Sequence, residues 1–306
     1  MNRTRYSRGR IPHRFGMNKK FDAFTIIAIV IVVIASVVVY LWNNRSDLAS
    51  PSLSDGECEL HMIDVGQGDA CLITTDEGNI LIDAGPQEGE DELERYLLLC
   101  GIESLDYVIL THPHEDHIGN ADMVIDNFYV KNVIMPDVTT TTVCFEALLE
   151  SIDDSGSRLI MAEQGDTYKV GGLSFKILGP AECDPENLNN CSIVLRADYG
   201  DVSMLFSGDA ERSAELEVYE RYADELDCDI FKVGHHGSST SNCDEFITAA
   251  SPDLALISCE LGNSYGHPHR EVIAMLKERG ITYRRTDIDG DVVVATDGEK
   301  YWIKEE

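Results

Sequence analysis

Short apolar runs rich in β-branched residues recur along the chain, separated by longer segments whose apolar positions repeat at helical spacing. The short runs predict strands and the longer segments predict helices. The predicted strands are 58–65, 69–75, 79–83, 106–110, 130–135, 167–170, 173–178, 191–198, 202–207, 229–233, 253–258, 290–295 and 300–303. The predicted helices are 90–100, 118–127, 143–152, 211–224, 243–250 and 269–279. A strand-rich opening followed by alternating helices and strands occurs twice, which predicts an α/β (α+β) fold with two sheets face to face and helices outside.

The N-terminal region has a different pattern from the rest of the chain. Residues 23–42 carry no charge, and about 20 residues at ~1.5 Å rise each match a bilayer core of ~30 Å. Seven basic side chains and one acidic side chain precede this stretch, so the positive-inside rule predicts a cytoplasmic tail at 1–22. We expect a single-pass protein of the cell membrane, with a transmembrane helix at 23–42, a linker at 43–56 and an extracytoplasmic domain at 57–306. A cleaved signal peptide is the alternative, although its apolar region would be unusually long.

The charge of the chain is divided sharply at the predicted transmembrane helix. The whole chain of 306 residues has a net charge of −31, with residues 1–42 at +6 and the remainder at −37. So acidic a domain repels polyanions and lacks the basic stripe of a dedicated nucleic-acid binder. We therefore expect no stable binding of nucleic acid, although bound cations can invert the local field and permit phosphodiester chemistry.

The nine cysteines indicate neither a zinc finger nor a complete disulfide framework, because their number is odd and no Cys-x-x-Cys occurs. Cys191 stands in an apolar run and has the pattern of an ordinary core residue. Cys183 and Cys191 also flank one loop and could pair, and the sequence leaves the two alternatives open.

Residues 112–117 concentrate metal-ligand chemistry, because they read His-x-His-x-Asp-His. They follow a predicted strand, and open α/β sheets place their sites at the carboxyl ends of strands. Imidazole and carboxylate are the ligands that borderline divalent metals prefer. We predict that His112 and His114 hold one cation, with Asp116 and His117 holding its neighbour.

Three further predicted strands end in candidate ligands. Asp209 follows one of them and suits a carboxylate that bridges two cations, with a helix N-cap as an equal alternative. His235 and His236 stand between two glycines after the next, and His267 follows a third. Four such strand ends predict one shared rim.

Together these side chains predict a binuclear metal-dependent hydrolase. Two cations ~3.5–4 Å apart lower the pKa of a shared water toward ~7 and bind the oxygens of an in-line displacement. A hydroxide between the two cations, with Asp209 bridging them, is the predicted nucleophile. A histidine outside the metal ligands is expected to protonate the leaving group, because an alkoxide needs a general acid near neutral pH.

Seven motifs extend this picture, and they occur in the order IDVGQGDA at 63–70, LIDAG at 81–85, HPHEDH at 112–117, NNCS at 189–192, GD at 208–209, HHGS at 235–238 and YGHP at 265–268. This series resembles the metallo-β-lactamase superfamily, and more closely the ComEC-type hydrolase domain of bacterial DNA-uptake channels. The resemblance covers roughly residues 57–303 and implies a four-layer αβ/βα sandwich with its metals at the edge between the sheets. Such proteins mostly hydrolyse esters, lactones, β-lactams, thioesters or phosphodiesters, and the channel-linked subgroup is thought to degrade nucleic acid.

The chain departs from the superfamily pattern in its third histidine for the first metal, because no histidine occurs between 117 and 235. The segment offers Asn189 and Asn190 instead, and we expect at most a weak oxygen ligand there, with Asn190 as the candidate. An oxygen-rich site makes Mn²⁺ a rival to Zn²⁺ for the two divalent cations. The chain also lacks the many membrane helices of the channel, so one transmembrane helix cannot conduct DNA.

The last ligand of the second metal is either His235 or His267, and we favour His235. Asp116, His236 and His267 are then the predicted catalytic residues, the two imidazoles as leaving-group acid or substrate contact. The residues predicted to support the ligands or line the pocket are Asp69, Asp83, Ser238 and Tyr265. Among these, Asp83 is expected to orient the 112–117 turn through hydrogen bonds. For Asp69, lining the site and holding a backbone turn are equally weighted predictions.

Three functions remain in competition. The leading one is a membrane-anchored, extracytoplasmic phosphodiesterase or nuclease that acts on a small phosphodiester or on nucleic acid. The second is a hydrolase of the same fold that acts on a small ester, lactone or β-lactam, which the charge of −37 favours. The third is a metal-binding protein without turnover, which the presence of both Asp116 and Asp209 disfavours.

Overall fold

A computed structural model describes Val32 and residues 56–304. In residues 56–304 the strands are β1 (Cys58–Met62), β2 (Cys71–Thr75), β3 (Asn79–Ile82), β4 (Ser104–Ile109), β5 (Tyr129–Met135), β6 (Arg158–Met161), β7 (Thr167–Val170), β8 (Leu173–Gly179), β9 (Val194–Tyr199), β10 (Val202–Phe206), β11 (Ile230–Lys232), β12 (Leu254–Ile257), β13 (Thr282–Arg285), β14 (Val292–Thr296) and β15 (Tyr301–Ile303). The α-helices are α1 (Glu90–Leu99), α2 (Glu115–Ile118), α3 (Ala121–Asn127), α4 (Val143–Ser155), α5 (Arg212–Tyr222), α6 (Asp244–Ala250), α7 (Arg270–Glu278) and α8 (Thr286–Asp289). Short 3₁₀ turns cover Gln87–Gly89, Leu188–Cys191, Ala223–Glu225 and Gly234–Gly237.

The strands of residues 56–304 form two mixed sheets. The first has the order β15-β14-β1-β2-β3-β4-β5-β6, and the second has the order β13-β12-β11-β10-β9-β8-β7. In each sheet one part is antiparallel and the other is parallel: β3 to β6 run parallel in the first, and β10 to β13 in the second. Helices connect the parallel strands, as is usual because parallel neighbours need a long crossover connection.

Three buried layers of apolar side chains hold these elements together. The central layer lies between the sheets and contains Leu60 and Met62 of β1 together with Phe175 of β8. A second layer packs α1, α3 and α4 on the outer face of the first sheet, and a third packs α5, α6 and α7 on the outer face of the second. The order is helix, sheet, sheet, helix, so the predicted four-layer sandwich is confirmed.

Most predicted elements are present, and the differences have physical reasons. The sequence prediction missed β6 and β13, which are short edge strands whose side chains are half-buried or exposed and therefore carry no clear apolar alternation. The predicted strand at 191–198 begins instead with the 3₁₀ turn Leu188–Cys191. Cys191 is not an ordinary core thiol, because it forms a disulfide with Cys183.

The predicted tail, transmembrane helix and linker lie outside the described residues, except for Val32 and Gly56. Among the residues that are described, no helix is both long enough and apolar enough to cross a bilayer.

The carboxyl ends of five strands lie at the same edge of the sandwich. In the first sheet, Ile82 of β3 is level with Ile109 of β4, and the backbone N–H of Asp83 donates to Ile109 O at 2.8 Å. In the second sheet, Phe206 of β10 pairs with Lys232 of β11, which pairs in turn with the end of β12. The residues that follow these strands therefore meet at one rim.

Close backbone approach at this rim requires a glycine at position 68. A Cβ added there would lie 2.4 Å from the backbone oxygen of Asp116. The next residue, Asp69, donates its N–H to that same oxygen at 3.0 Å. The glycine therefore lets the loop between β1 and β2 lie against the 112–117 turn.

A buried carboxylate on α5 holds the loop that follows β11. Glu215 accepts hydrogen bonds from the backbone N–H groups of Asn242, at 2.6 Å, and of Cys243, at 2.8 Å. Neither Ser241 nor Asn242 caps the next helix, because its N-cap is Cys243 and no side chain caps it. Glu215 accepts from these N–H groups instead, which ties α5 to the start of α6.

We expect Glu215→Ala to destabilise the fold, because two buried N–H groups would lose their acceptor. The expected loss is about 3 kcal/mol of unfolding free energy, measured by urea denaturation. The control is Glu220→Ala on the exposed face of the same helix, which should change the unfolding free energy by less than about 0.5 kcal/mol. Equal stabilities of the two variants would contradict this role of Glu215.

Candidate metal centre

The carboxylate of Asp209 lies at the centre of the rim. Its Oδ1 is 3.3 Å from His117 Nε2, and its Oδ2 is 3.4 Å from His235 Nε2. Oδ2 is also 3.7 Å from His236 Nε2 and 3.9 Å from His112 Nε2. Asp209 is only 2% exposed, and Glu211 rather than Asp209 is the N-cap of α5. The Asp209 carboxylate therefore faces the site and does not cap the helix.

One group of four ligand atoms fits a divalent cation. Atoms of Asp116, His117, Asp209 and His236 lie within 4.8 Å of one another. His236 Nε2 is 3.3 Å and His117 Nε2 is 3.9 Å from Asp116 Oδ2. Ligand atoms held ~2.1 Å from one cation lie roughly 3–4.2 Å apart, so these separations suit a single ion.

The buried atoms of this group point to the same conclusion. His117 Nε2, His236 Nε2 and Asp209 Oδ1 are buried and have no hydrogen-bond partner among the described residues. Buried polar atoms are nearly always satisfied, and a metal ion is one of the groups that satisfies them. The residues at this position therefore fit a cation.

The other two histidines of the 112–117 turn form a second group of nitrogens near Asp209. His112 Nε2 is 2.9 Å from His114 Nδ1. Thr111 Oγ1 donates to Asp83 and lies 3.2 Å from His112 Nδ1, so the ring donates from Nδ1 and keeps the Nε2 lone pair free. His112, His114 and Asp209 could therefore hold a second cation beside the first.

Asp83 orients His117 from behind. Its Oδ2 is 2.8 Å from His117 Nδ1, and its two oxygens also accept from the N–H and hydroxyl of Thr111 at 2.7 and 2.8 Å. The Nδ1 atom must carry the proton in this contact, which leaves Nε2 free to face the site. Asp83 thus lies where the sequence predicted an orienting carboxylate.

Asp69 and Lys232 support His236 in the same way. His236 Nδ1 is 3.1 Å from the backbone oxygen of Ser258 and 3.3 Å from Asp69 Oδ1, so it faces only acceptors. The other oxygen of Asp69 accepts from the ammonium of Lys232, which is 3% exposed. Sequence reasoning missed Lys232, although a lysine inside the apolar strand β11 was a signal, because buried lysines are nearly always paired.

The loop that carries His235 and His236 has a costly backbone conformation. Both residues have positive φ, at 54° and 52°, and each such non-glycine residue costs ~1–3 kcal/mol. The side chain of Asn242 stabilises the loop: it accepts from Gly234 N at 2.9 Å and donates to Gly234 O and Ser238 O at 3.0 and 3.2 Å. The left-handed pair turns the two imidazoles in different directions.

The pKa values of the site follow from burial and from the pairing of opposite charges. Burial disfavours the charged ring of His236, but Asp209 and Asp69 raise its pKa to about 9. Burial also opposes ionisation of Asp209, but His117 and His236 hold its pKa well below the usual range. Likewise, His117 and His236 outweigh burial and lower the pKa of Asp116 to about 2. The metal-free site therefore holds protons on imidazoles in place of cations.

His267 and Tyr265 form one wall of the cavity beside the ligands. The ring of His267 stacks on Tyr265 with centroids 5.6 Å apart, and its centroid is 5.5 Å from that of His235. Burial and the neighbouring His236 lower the pKa of His267 to about 4. A neutral ring at pH 7 suits a hydrogen bond to substrate better than the donation of a proton.

The structure brings the predicted histidine and aspartate ligands together and leaves one predicted pocket residue outside the cavity lining. It brings His112, His114, Asp116, His117, Asp209, His235 and His236 together around Asp209. His236, rather than His235, belongs to the four-atom group, so the geometry favours exchanging the predicted roles of these two. Ser238 lies away from the cavity lining, because its hydroxyl bonds to Thr240 within the loop.

Asn190 does not offer its oxygen to the site, because Asn190 Oδ1 accepts from the N–H of Glu211 at 3.1 Å. Asn189 lines the cavity instead. The sequence had marked both asparagines, but a one-residue difference in a 3₁₀ turn decides which of the two side chains lines the cavity.

A cavity of about 1080 Å³ opens over the ligands. Its wall includes eight carboxylate side chains, and among the described residues no lysine or arginine lines it. The carboxylates are Asp64, Glu88, Glu92, Glu115, Asp116, Asp209, Glu260 and Asp287. The cavity is large enough for a small molecule or a few nucleotides, and its charge is strongly negative without bound cations.

Two face-to-face β-sheets with helices outside, and with imidazoles and carboxylates at their shared edge, place the chain in the class of metallo-hydrolase folds. The family model of the metallo-beta-lactamase superfamily matches residues 63–260. The chain belongs to the metallo-β-lactamase superfamily.

The chain is similar to two competence proteins of the ComEC type. ComE operon protein 3 of Bacillus subtilis is 34% identical over 260 residues, which are 79% of this chain and 33% of that protein. Competence protein ComA of Neisseria gonorrhoeae is 28% identical over 242 residues, 78% of this chain and 32% of that protein. The chain thus spans about a third of the length of these relatives, and the predicted resemblance to ComEC-type competence proteins is confirmed.

A solved structure supports the fold. The metallo-β-lactamase fold protein YhfI of Bacillus subtilis superposes with a TM-score of 0.52 at 14% identity, covering 75% of this chain and 95% of that one. At this identity the likeness shows the fold alone.

We expect the affinity of the site for Mn²⁺ to rise with pH up to about 9, because a cation needs the neutral ring of His236, whose pKa is about 9. Each bound cation should displace protons. The check is calorimetric titration of Mn²⁺ in two buffers of different ionisation enthalpy, at about pH 6.5 and about pH 8.5. Equal affinity at both pH values without proton release would contradict this assignment of the ligands.

Proposed function

We propose that this chain is a divalent-metal-dependent phosphodiesterase or nuclease. One observation carries the proposal: a buried carboxylate, Asp209, lies within 4 Å of four imidazole nitrogens. Two bound cations, Zn²⁺ or Mn²⁺, would lower the pKa of a water and stabilise the charge that develops on phosphodiester oxygens. The competence proteins to which the chain is similar agree with a substrate related to nucleic acid.

The residues of the chain have separate tasks in this proposal. Asp116, His117, Asp209 and His236 would hold one cation, and His112 and His114 together with Asp209 would hold the other. Asp83 and Asp69 keep the protons of His117 and His236 on Nδ1, so that Nε2 faces the site. His267 and Tyr265 contact the substrate from the cavity wall.

The proposal includes a location. An apolar stretch at 23–42 preceded by basic residues supports a membrane anchor with the domain outside the cytoplasm. The Cys183–Cys191 disulfide agrees with that compartment, because disulfides persist in oxidising environments.

A second function has an observation in its favour. The eight carboxylates of the cavity wall repel a polyanion, which favours a small ester, lactone or β-lactam over long DNA. The two functions differ in how they depend on charge: cleavage of nucleic acid requires cations to offset the wall, whereas a neutral ester does not.

The test is hydrolysis of bis(4-nitrophenyl) phosphate and of a short single-stranded oligonucleotide by the purified protein with Mn²⁺ or Zn²⁺. We expect phosphodiester cleavage, and Asp209→Ala should lower kcat/KM at least about a hundredfold, since several kcal/mol of transition-state stabilisation depend on the cations. Asp224→Ala, an exposed position outside the cavity, is the matched control and should retain the full rate.

Two outcomes would overturn the proposal. Turnover of lactones or a chromogenic β-lactam without any phosphodiester cleavage would establish the second function. Full activity of the Asp209→Ala protein would remove this carboxylate from the metal site.

A further inference from the structure

Three side chains near Asn189 fix the segment between β8 and β9. Asn187 Nδ2 donates to the carboxylate of Glu211 at 2.8 Å, and Asn190 Oδ1 accepts from the N–H of Glu211 at 3.1 Å. Cys191 is covalently bonded to Cys183. These contacts anchor the segment to the start of α5 and to its own loop.

The same segment is attached to both halves of the metal site. The N–H of Ser192 donates to the backbone oxygen of Asn189 at 3.0 Å, and Ser192 Oγ accepts from the N–H of Asp209 at 3.0 Å. The N–H of Ile193 donates to the backbone oxygen of Thr111, which precedes His112, at 2.9 Å. Asn189 is therefore held between the strand end that supplies Asp209 and the one that supplies His112.

The side-chain oxygen of Asn189 differs from those of its neighbours. Asn189 Oδ1 is buried and has no hydrogen-bond partner in the described part of the chain, a property that it shares with Asp209 Oδ1 in the metal site. Asn189 also lines the cavity together with His114, Asp209 and His235. A buried amide oxygen without a donor costs free energy, and a bound cation or ligand in the cavity would offset this cost.

We infer that Asn189 Oδ1 is a ligand of the cation held by His112 and His114, an inference that rests on the proposed metal-dependent function. Two imidazoles and a shared Asp209 leave that cation short of protein ligands, since no further histidine approaches it from this segment of the chain. An amide oxygen fills the position without adding negative charge. The resulting donor set is richer in oxygen than a three-histidine site.

The assignment has a consequence for metal choice. Oxygen ligands suit Mn²⁺ and Mg²⁺, whereas imidazole and thiolate favour Zn²⁺. Asn189→His should therefore shift the metal preference of this binding position from Mn²⁺ toward Zn²⁺. Asn189→Asp should keep an oxygen ligand and bind Mn²⁺ at least as well as the wild type.

The test measures metal binding rather than activity. The full chain is stripped of metal and titrated with Mn²⁺, and free Mn²⁺ is followed by its electron paramagnetic resonance signal. Wild-type protein should take up two Mn²⁺ ions, and Asn189→Ala should bind one of them at least about tenfold more weakly. Asn189→Asp should restore the affinity, which a purely structural role of the amide would not predict.

The melting temperature of the metal-free protein separates a ligand from a structural residue. Asn189→Ala should leave it unchanged, because Asn189 Oδ1 makes no hydrogen bond within residues 56–304. Asn190→Ala should lower it, because Glu211 N loses its acceptor. Added Mn²⁺ should stabilise wild-type protein more than Asn189→Ala protein.

The outcomes distinguish this inference from the function on which it rests. If wild-type and Asn189→Ala proteins both bind two Mn²⁺ ions with equal affinity, Asn189 is not a ligand and the metal-dependent function stands. If folded wild-type protein binds no divalent cation, the function and the Asn189 assignment fail together.

Discussion

The structure depends on one constraint: a buried carboxylate, Asp209, has four imidazole nitrogens within 4 Å. A buried charge is costly unless it is paired. In the metal-free protein, protonated imidazoles supply the pairing, as the raised pKa of His236 shows. Divalent cations can replace those protons, so the cost of burying Asp209 is the physical reason why the site should bind metal tightly.

The surrounding residues fix the orientation of the imidazole rings in addition to balancing the charge. Asp83 behind His117 and Asp69 behind His236 fix which ring nitrogen faces the cavity, and Lys232 balances the charge of Asp69. The fold brings these partners together because strands of both sheets end at the same edge. Outside this centre, the cavity wall is acidic, and without bound cations its charge would repel a polyanion.

Local pattern predicted most of the fold and the location of the site. Short apolar runs marked the central strands, and polar residues after them marked the rim, because strand ends in such sheets converge. The prediction failed where local pattern carries no signal: β6 and β13 are half-buried edge strands. Likewise, the positive φ of His235 and His236 depends on the Asn242 contacts, so sequence could not tell which imidazole turns toward Asp116.

The central claim is that two cations lie on either side of Asp209. Anomalous diffraction from crystals soaked in Mn²⁺, with data collected near the manganese edge, tests it most directly. The account predicts two anomalous peaks that share Asp209, one beside His117 and His236 and the other beside His112 and His114. Absence of anomalous density at Asp209 at saturating Mn²⁺, in crystals where these side chains are ordered, would contradict it.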